Sequence, residues 1–91
     1  MTRPIILLAN PASGRSRSVA AAQALANRIL AFGIPTRTVS GSSAADARAA
    51  LADAVHDQRP AAIVACGGDG TVHMALQAVA DTDIALGILP V

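Results

Sequence analysis

One stretch in the second half of the chain constrains the fold more than any other feature. Residues 61–66 form an apolar run, and Gly67–Thr71 (Gly-Gly-Asp-Gly-Thr) follow it directly. Beyond this loop, apolar residues recur at the spacing of one helical face: Val72, Ala75, Leu76 and Val79. The order predicts a buried strand, a glycine-rich turn and a helix whose N-terminus faces the turn.

The chemistry of this loop points to an anion, phosphate above all. Backbone N–H groups and a helix N-terminus converge there, and Gly67, Gly68 and Gly70 permit close backbone approach and positive φ. A carboxylate beside such a site, Asp69, fits a ligand of Mg²⁺, direct or through water, or a group that orients a donor. Thr71 either caps the helix or bonds a phosphate oxygen. An ordinary glycine turn is the alternative.

Two further apolar runs predict strands at residues 5–9 and 84–89, and residues 34–39 predict a weaker one. The runs at 5–9 and 84–89 are continuous rather than alternating, which is typical of strands buried on both faces of a parallel sheet. Pro35 predicts that the strand at 34–39 lies near an edge of the sheet, because proline cannot donate to a central ladder.

Helical segments separate these strands. The first is predicted to begin at Ser16 or Ser18 and to end at Phe32–Gly33, with Gly33 as a left-handed cap. Its apolar stripe comprises Val19, Ala22, Leu25, Ala26 and Ile29. The second begins at Ser43, where Ser43 and Asp46 form a capping-box pattern, and continues to about His56.

The alternation β-α-β-α-β-α-β predicts an α/β fold with a parallel sheet and right-handed crossovers. Ligands of such sheets bind outside the carboxyl ends of the strands. Three loops are expected there: Asn10–Gly14 (Asn-Pro-Ala-Ser-Gly), residues 40–43 and Gly67–Thr71. Two or three of them are expected to line one crevice.

Length and composition limit the alternatives. The chain has 91 residues, which is enough for one small domain, and its net charge of +1 gives no reason to expect a nucleic-acid partner. No apolar run approaches the ~18 residues that a membrane span needs. The single cysteine, Cys66, excludes an internal disulfide framework and fits a reducing cytosol. Its position predicts a small buried hydrophobe rather than a reactive thiol.

Two motifs carry a resemblance that covers the whole chain. Asn10–Gly14 and Gly67–Thr71 resemble the Asn-Pro-x-Ser-Gly and Gly-Gly-Asp-Gly-Thr motifs of the diacylglycerol kinase catalytic-domain family, which includes bacterial lipid kinases and, more distantly, sphingosine and ceramide kinases. Residues 86–90 resemble the strand that leads into a third motif of that family.

The resemblance implies a three-layer α/β/α, Rossmann-like nucleotide-binding domain of the type shared by NAD kinases and diacylglycerol kinases. It implies ATP and Mg²⁺ as cofactors and a lipid substrate such as diacylglycerol, whose hydroxyl is phosphorylated. A cytoplasmic protein with peripheral contact to the inner face of the membrane is expected, and a homodimer is an open alternative.

The resemblance also assigns roles to residues of this chain. Asp69 is the expected catalytic residue, acting with Mg²⁺. Either Thr38 or Ser40 bonds the nucleotide from the second loop. The remaining nucleotide-binding residues are Asn10, Ser13, Gly14, Gly67, Gly68, Gly70 and Thr71.

Two departures from the family pattern matter. Met74 stands where the family often has a glutamate, which puts the metal and nucleotide geometry in question. The sequence stops at Val91, before the third motif and before the C-terminal β-rich domain that holds the lipid in the family. Residues 1–91 are therefore expected to be the N-terminal part of a longer enzyme. The family's general base is not among the matched residues.

Rival interpretations remain. NAD kinases also carry Gly-Gly-Asp-Gly-Thr but do not normally open with Asn-Pro-Ala-Ser-Gly, and a non-catalytic nucleotide-binding module belongs to another functional class. His73 is expected to cap the helix or make a polar contact rather than to act as a base. His56 is expected to be a solvated helix-end residue. Arg15 and Arg17 either contact phosphates or lipid headgroups or have no special role.

Overall fold

Strands and helices alternate along the chain in the computed structural model, which describes residues 3–9 and 11–90 and, for residues 11–16, the backbone alone. The elements, in chain order, are β1 (Ile5–Ala9), α1 (Pro11–Ala31), β2 (Thr36–Val39), α2 (Ala44–Gln58), β3 (Ala62–Cys66), α3 (Asp69–Val79) and β4 (Ala85–Leu89). The predicted alternation is confirmed.

The four strands form one parallel sheet in the order β2-β1-β3-β4. β1 and β3 are central, and their apolar runs are buried on both faces, as continuous β-branched runs in parallel sheets usually are. β2 lies at an edge, which confirms the prediction made from Pro35.

Each face of the sheet carries its own core, because successive side chains of a strand point to opposite faces. Ile6 and Leu8 of β1 pack with α2 and α3 on one face, whereas Leu7 and Ala9 pack with α1 on the other. The helices contribute mainly small buried side chains: Ala22, Ala26, Ala47, Ala54 and Ala75. The fold is therefore the expected three-layer α/β/α arrangement.

α1 begins earlier than predicted, at Pro11 rather than at Ser16 or Ser18. Proline suits the first helical position because its φ is already helical and its missing N–H would have no intrahelical partner there. Residues 11–14 therefore belong to the first turn of a helix, and the prediction of a polar loop over them is wrong. Asn10 lies outside the described residues.

The buried face of α1 also differs from the predicted stripe. Val19 is exposed, while Ser18 is fully buried and lies on one face with Ala22 and Ala26 at a spacing of four residues. Hydrophobicity favoured Val19, but the direction in which α1 lies on the sheet placed the smaller Ser18 inward. Gly33 adopts the predicted left-handed conformation, with φ 80°.

The start of α2 is capped as predicted. The Ser43 hydroxyl accepts a hydrogen bond from the Asp46 backbone N–H at 3.1 Å, but the Asp46 carboxylate accepts from the Ser42 hydroxyl instead of completing the capping box. α2 extends two residues beyond His56 and ends with Arg59 in a left-handed conformation, φ 45°.

The last strand departs from its prediction. The run 84–89 was expected to be a buried strand, yet β4 is exposed or only partly buried along its whole length. The reason is its position: β4 is the outer strand next to β3, so it has one neighbour among the described strands.

Candidate functional site at the carboxyl end of the sheet

The topology singles out the carboxyl ends of β1 and β3. These strands are neighbours, and Ala9 pairs with Cys66 at their last positions. From there the chain turns to opposite faces, because α1 packs on one face of the sheet and α3 on the other. A crevice forms where adjacent connections diverge in this way, and ligands of open α/β sheets bind in it.

Gly67 is required by the loop itself. It is buried with φ +155°, and a Cβ at this position would lie 2.8 Å from Thr71 Oγ1 and 3.2 Å from Thr71 Cβ. Its backbone N–H donates to the Leu89 carbonyl at 3.2 Å, which ties the loop to the end of β4. Any other residue here would strain the backbone and collide with α3.

Gly68 and Gly70 are not required in this way. Both are exposed, and nothing lies within 4 Å of the position that a Cβ would occupy on either residue. Neither carries a φ in the left-handed region. The absence of side chains instead leaves the backbone around the start of α3 accessible from outside the molecule.

The start of α3 presents free donors. The helix begins at Asp69, earlier than the predicted loop implied, and its N-cap Gly68 supplies no side-chain acceptor. The first helical hydrogen bond runs from the Val72 N–H to the Gly68 carbonyl at 3.1 Å. The N–H groups of residues 69–71 precede it and have no acceptor among the described hydrogen bonds, so they can bind an anion.

Thr71 holds a buried hydroxyl under this loop. The side chain is fully buried, and its Oγ1 has no hydrogen-bond partner among the described residues. Burying a hydroxyl without a partner costs about 1–3 kcal/mol, so a hydrogen-bond partner for Thr71 Oγ1 would stabilise the loop.

Ser18 presents a second hydroxyl of this kind, and sequence reasoning did not identify it as a site residue. It is fully buried, and its Oγ has no partner among the described residues. Ala26 and Ala22 of α1 pack in the same cluster as Leu7 and Ala9 of the antiparallel-running β1. Ser18 precedes Ala22 by four residues, or about 6 Å of helical rise, and is therefore nearer than Ala22 to the start of α1, which follows the carboxyl end of β1. The sequence signal was a small polar residue four positions before Ala22 and eight before Ala26.

Asp69 is exposed in the first turn of α3, where the helix dipole favours a negative charge. The described residues contain no cluster of three or more His, Cys, Asp or Glu side chains that would hold a metal ion by themselves. A cation at Asp69 would therefore need most of its ligands from a bound phosphate and water, which is the usual way in which proteins bind Mg²⁺.

Some of the other predicted residues lie at the carboxyl end of the sheet, and others do not. Ser40 follows the last residue of β2 and so lies at the carboxyl end, whereas Thr38 pairs with Leu7 inside the strand. Gly41 approaches α2 so closely that a Cβ would lie 2.4 Å from the Ala47 backbone nitrogen. Ser13 and Gly14 belong to the first turns of α1, and nothing is described for the Ser13 side chain.

The remaining candidate side chains are outside this crevice or buried beneath it. Met74 is buried in the core cluster with Leu51, so its apolar side chain serves packing. Cys66 is buried as predicted, and desolvation raises the pKa of its thiol. His73 and Arg17 are exposed.

The opposite, amino end of the sheet is organised differently. The Arg3 guanidinium donates to both Asp83 carboxylate oxygens, at 3.0 and 3.1 Å, and to the carbonyls of Arg59 and Pro60. The hydrogen bonds from Arg3 lower the pKa of the Asp83 carboxyl group. A groove of about 930 Å³ lies beside this network, and Gln58 is among the residues that line it. The buried Gln58 Oε1 has no hydrogen-bond partner among the described residues.

Comparison with known proteins agrees with these features. Residues 4–91 match the family described as the diacylglycerol kinase catalytic domain. Two proteins named "Diacylglycerol kinase", from Mycobacterium tuberculosis strains CDC 1551 and H37Rv, are each 43% identical over 86 residues, which is 94% of this chain. The match spans 28% of the length of each relative. In the described part of the chain, no helix is both long and apolar enough to cross a bilayer.

Proposed function

Because the chain belongs to the diacylglycerol kinase catalytic domain family, we propose that it forms the nucleotide-binding part of an ATP-dependent lipid kinase. The enzyme would transfer the γ-phosphate of ATP to the hydroxyl of a lipid such as diacylglycerol. The observation that carries this proposal is the open first turn of α3, where free N–H groups adjoin two glycines that the fold does not itself require.

The loop suits the phosphates of ATP for three reasons. The N–H groups of residues 69–71 can donate to phosphate oxygens, and the positive end of the α3 dipole attracts their charge. The bare backbone at Gly68 and Gly70 lets phosphate approach within hydrogen-bond distance. The hydroxyl groups of Thr71 and Ser18 have no described partners, and small movements of these side chains would let them hydrogen-bond to a bound phosphate.

Asp69 fits the role of holding Mg²⁺ beside the phosphates. The ion would supply positive charge to balance the charge that develops on the transferred phosphoryl group. Asp69 would anchor it, directly or through water, from the exposed first turn of α3. The loop amides would hold the phosphates in place, which is most of what a protein contributes to phosphoryl transfer.

The remaining nucleotide contacts follow from the carboxyl-end geometry. Ser40 is the stronger candidate of the pair Thr38 and Ser40, because it alone lies beyond the end of β2. Ser13 and Gly14 lie in the first turns of α1, which follows β1, a neighbour of β3 in the sheet. This position at the carboxyl end of the sheet supports the proposed roles of these two residues, and the proposed role of Asn10 rests on the family motif that it begins.

In the proposed domain organisation, residues 1–91 belong to the nucleotide-binding part. A C-terminal β-rich domain, in the part of the relatives' length that this chain does not match, would bind the lipid acceptor. The general base would lie there too. The enzyme would act in the cytoplasm with peripheral contact to the inner face of the membrane, where its lipid substrate lies. A homodimer is compatible with this arrangement.

Gly70→Ala tests the phosphate site because it should raise the stability of the fold and lower the affinity for Mg·ATP. Alanine is favoured over glycine inside a helix by about 0.5–1 kcal/mol, and the fold has room for its methyl group, so the variant should melt at a higher temperature. The same methyl group would obstruct a phosphate, so the affinity for Mg·ATP, measured by calorimetry, should fall at least about tenfold, or about 1.4 kcal/mol.

A substitution outside the proposed phosphate site, in β4, completes this test. Gly87→Ala adds the same methyl group in β4, and its affinity for Mg·ATP should equal that of the parent chain. The 91-residue chain should bind Mg·ATP weakly and show no turnover with diacylglycerol, because the proposed acceptor domain and base are elsewhere. Unchanged affinity in Gly70→Ala would contradict the phosphate site.

A further inference from the structure

A groove between α2 and α3 has an apolar floor and shares no lining residue with the glycine loop. The two helices pack on the same face of the sheet, and the groove between them has a volume of about 410 Å³. Leu51 of α2 and Met74 of α3 line it and are almost fully buried, so they form its floor. Val55 and Ala78 line it from the two helices and are partly buried. A groove of this size and character can hold a small apolar ligand.

The charge around this groove is one-sided. Arg48, His56 and Gln77 are exposed at its rim, and none of the described side chains that line it is acidic. The acidic residues of α2 are two, five and nine positions from Arg48 and therefore lie on a different side of the helix: Asp46, Asp53 and Asp57. The groove thus complements a molecule that is apolar along its length and negative at one end.

The two ends of the groove differ in charge. Arg48 lies in the second turn of α2, whereas His56 lies in the last turn. The α2 dipole is negative at its C-terminus, so a carboxylate is favoured beside Arg48 and disfavoured beside a neutral His56. From position 48 to position 56 the helix rises about 12 Å, a distance that an extended chain of about ten carbon atoms would span.

We propose that the groove between α2 and α3 is a binding site for a fatty acid, separate from the phosphate site. The carboxylate would pair with the Arg48 guanidinium, whose two parallel N–H groups suit a carboxylate. The single charge of a fatty acid matches the single arginine of the rim. Its hydrocarbon chain would lie over Leu51 and Met74 toward His56. A single chain fits better than a bilayer surface, because the apolar floor is recessed between two helices.

Calorimetry on the full-length polypeptide, without nucleotide, tests this site with monomeric decanoate. Decanoate should bind at one site per chain and at least about tenfold more tightly than hexanoate, because four more methylene groups leave water. Arg48→Gln should weaken decanoate binding at least about tenfold and leave the affinity for decanol, which has the same chain and no charge, unchanged. Ala52→Phe should abolish the binding of both, because Ala52 is an exposed residue of the groove and the new ring would fill it.

Two substitutions on α1, which packs on the other face of the sheet, are the matched controls. Arg28→Gln removes the same charge and Ala24→Phe adds the same ring, both at exposed positions, and both variants should bind decanoate as the parent does. Equal decanoate affinity in Arg48→Gln and the parent would overturn the proposal, as would equal losses in the α1 controls.

Two further outcomes would assign the groove to another occupant and overturn the proposal. Binding to vesicles of anionic phospholipid without binding of monomeric decanoate would assign it to a membrane surface. Failure to bind decanoate, together with a dimer that Ala52→Phe abolishes, would assign it to a second copy of the chain. None of these outcomes depends on ATP binding, so the phosphate-site proposal stands or falls separately.

Discussion

The carboxyl and amino ends of the sheet differ in how completely their polar groups are paired. At the amino end, Arg3 joins Asp83 and the carbonyls of Arg59 and Pro60 in one network, and Gln58 Oε1 is the described exception. At the carboxyl end, the first N–H groups of α3 have no described acceptor, and the hydroxyls of Thr71 and Ser18 are buried without partners.

This contrast indicates which end of the sheet is suited to bind a ligand. Native proteins pair the great majority of their buried polar groups, so two buried hydroxyls without described partners near the carboxyl end of the sheet call for an explanation. A phosphate bound at the start of α3 supplies one. The amino end, whose chain segments are tied together by Arg3, serves the fold.

The largest effect should come from Asp69→Asn at the carboxyl end. In the proposed full-length kinase, losing a carboxylate linked to Mg²⁺ should lower kcat about 10³-fold, or about 4 kcal/mol in activation free energy. The fold should be retained, because the Asp69 side chain is exposed. The measurement is ATP turnover with diacylglycerol, together with the far-ultraviolet circular dichroism of the variant.

Asp83→Asn is the matched control for that substitution. It makes the same chemical change at the amino end and should leave kcat unchanged. Retention of more than about a tenth of the activity in Asp69→Asn would argue against its proposed role, since a tenfold change is only ~1.4 kcal/mol.

Gly67→Ala should be more destabilising than Gly70→Ala. The new methyl group would meet Thr71 Oγ1 at 2.8 Å, and alanine disfavours φ +155°. The expected loss is about 2 kcal/mol, or a fall in Tm of about 10 °C for a domain of this size. Gly70→Ala is the control, because the same change there meets open space. Equal Tm values for the two variants would show that Gly67 is not strained.

Thr71→Val should have a smaller effect of the opposite sign. Valine keeps the shape of threonine and removes a hydroxyl that has no described partner, so the free energy of unfolding should rise by about 1 kcal/mol. Thermal denaturation measures this change. Thr71→Ser keeps the hydroxyl, loses the methyl group and should be less stable than the parent. A destabilised Thr71→Val would mean that the hydroxyl is already hydrogen-bonded.

The smallest effect should concern acid stability at the amino end. The pKa of the Asp83 carboxyl group is lowered in the folded state by hydrogen bonds from Arg3. Its stabilising contribution is therefore present above the unfolded pKa of about 3.9 and is lost as the pH falls through the folded value. Asp83→Asn should remove a slight decline in Tm below about pH 4. The effect should be weak and salt-sensitive because the pair is exposed.

Much of this fold was predictable from local patterns. Continuous apolar runs identified β1 and β3, and Pro35 identified β2 as an outer strand. Gly33 marked the end of α1 correctly. Each of these signals acts through steric or hydrogen-bonding limits of single residues, which hold whatever the rest of the chain does. The glycine loop also predicted an anion site, because such a site needs backbone that side chains do not cover, and this stays a prediction.

Other features depended on contacts that local patterns do not carry. Asn10-Pro11 resembled a turn, yet α1 begins at Pro11, because proline fits the first position of a helix as well as it fits a turn. Val19 was favoured over Ser18 for the core by its hydrophobicity, but the way α1 lies on the sheet decided which of the two is buried. Exposure of β4 followed from its place in the strand order.

The sequence by itself determined the alternation of strands and helices, the strand–glycine–helix unit and the acidic residue within it, since each rests on neighbouring residues. Only the tertiary structure decided that Gly67 is required by Thr71 whereas Gly68 and Gly70 are not, and that Ser18 lies inside. It alone decided that β4 pairs with β3 alone among the described strands. These properties are set by segments distant in sequence, and packing between such segments depends on the strand order and on the direction in which each helix lies on the sheet.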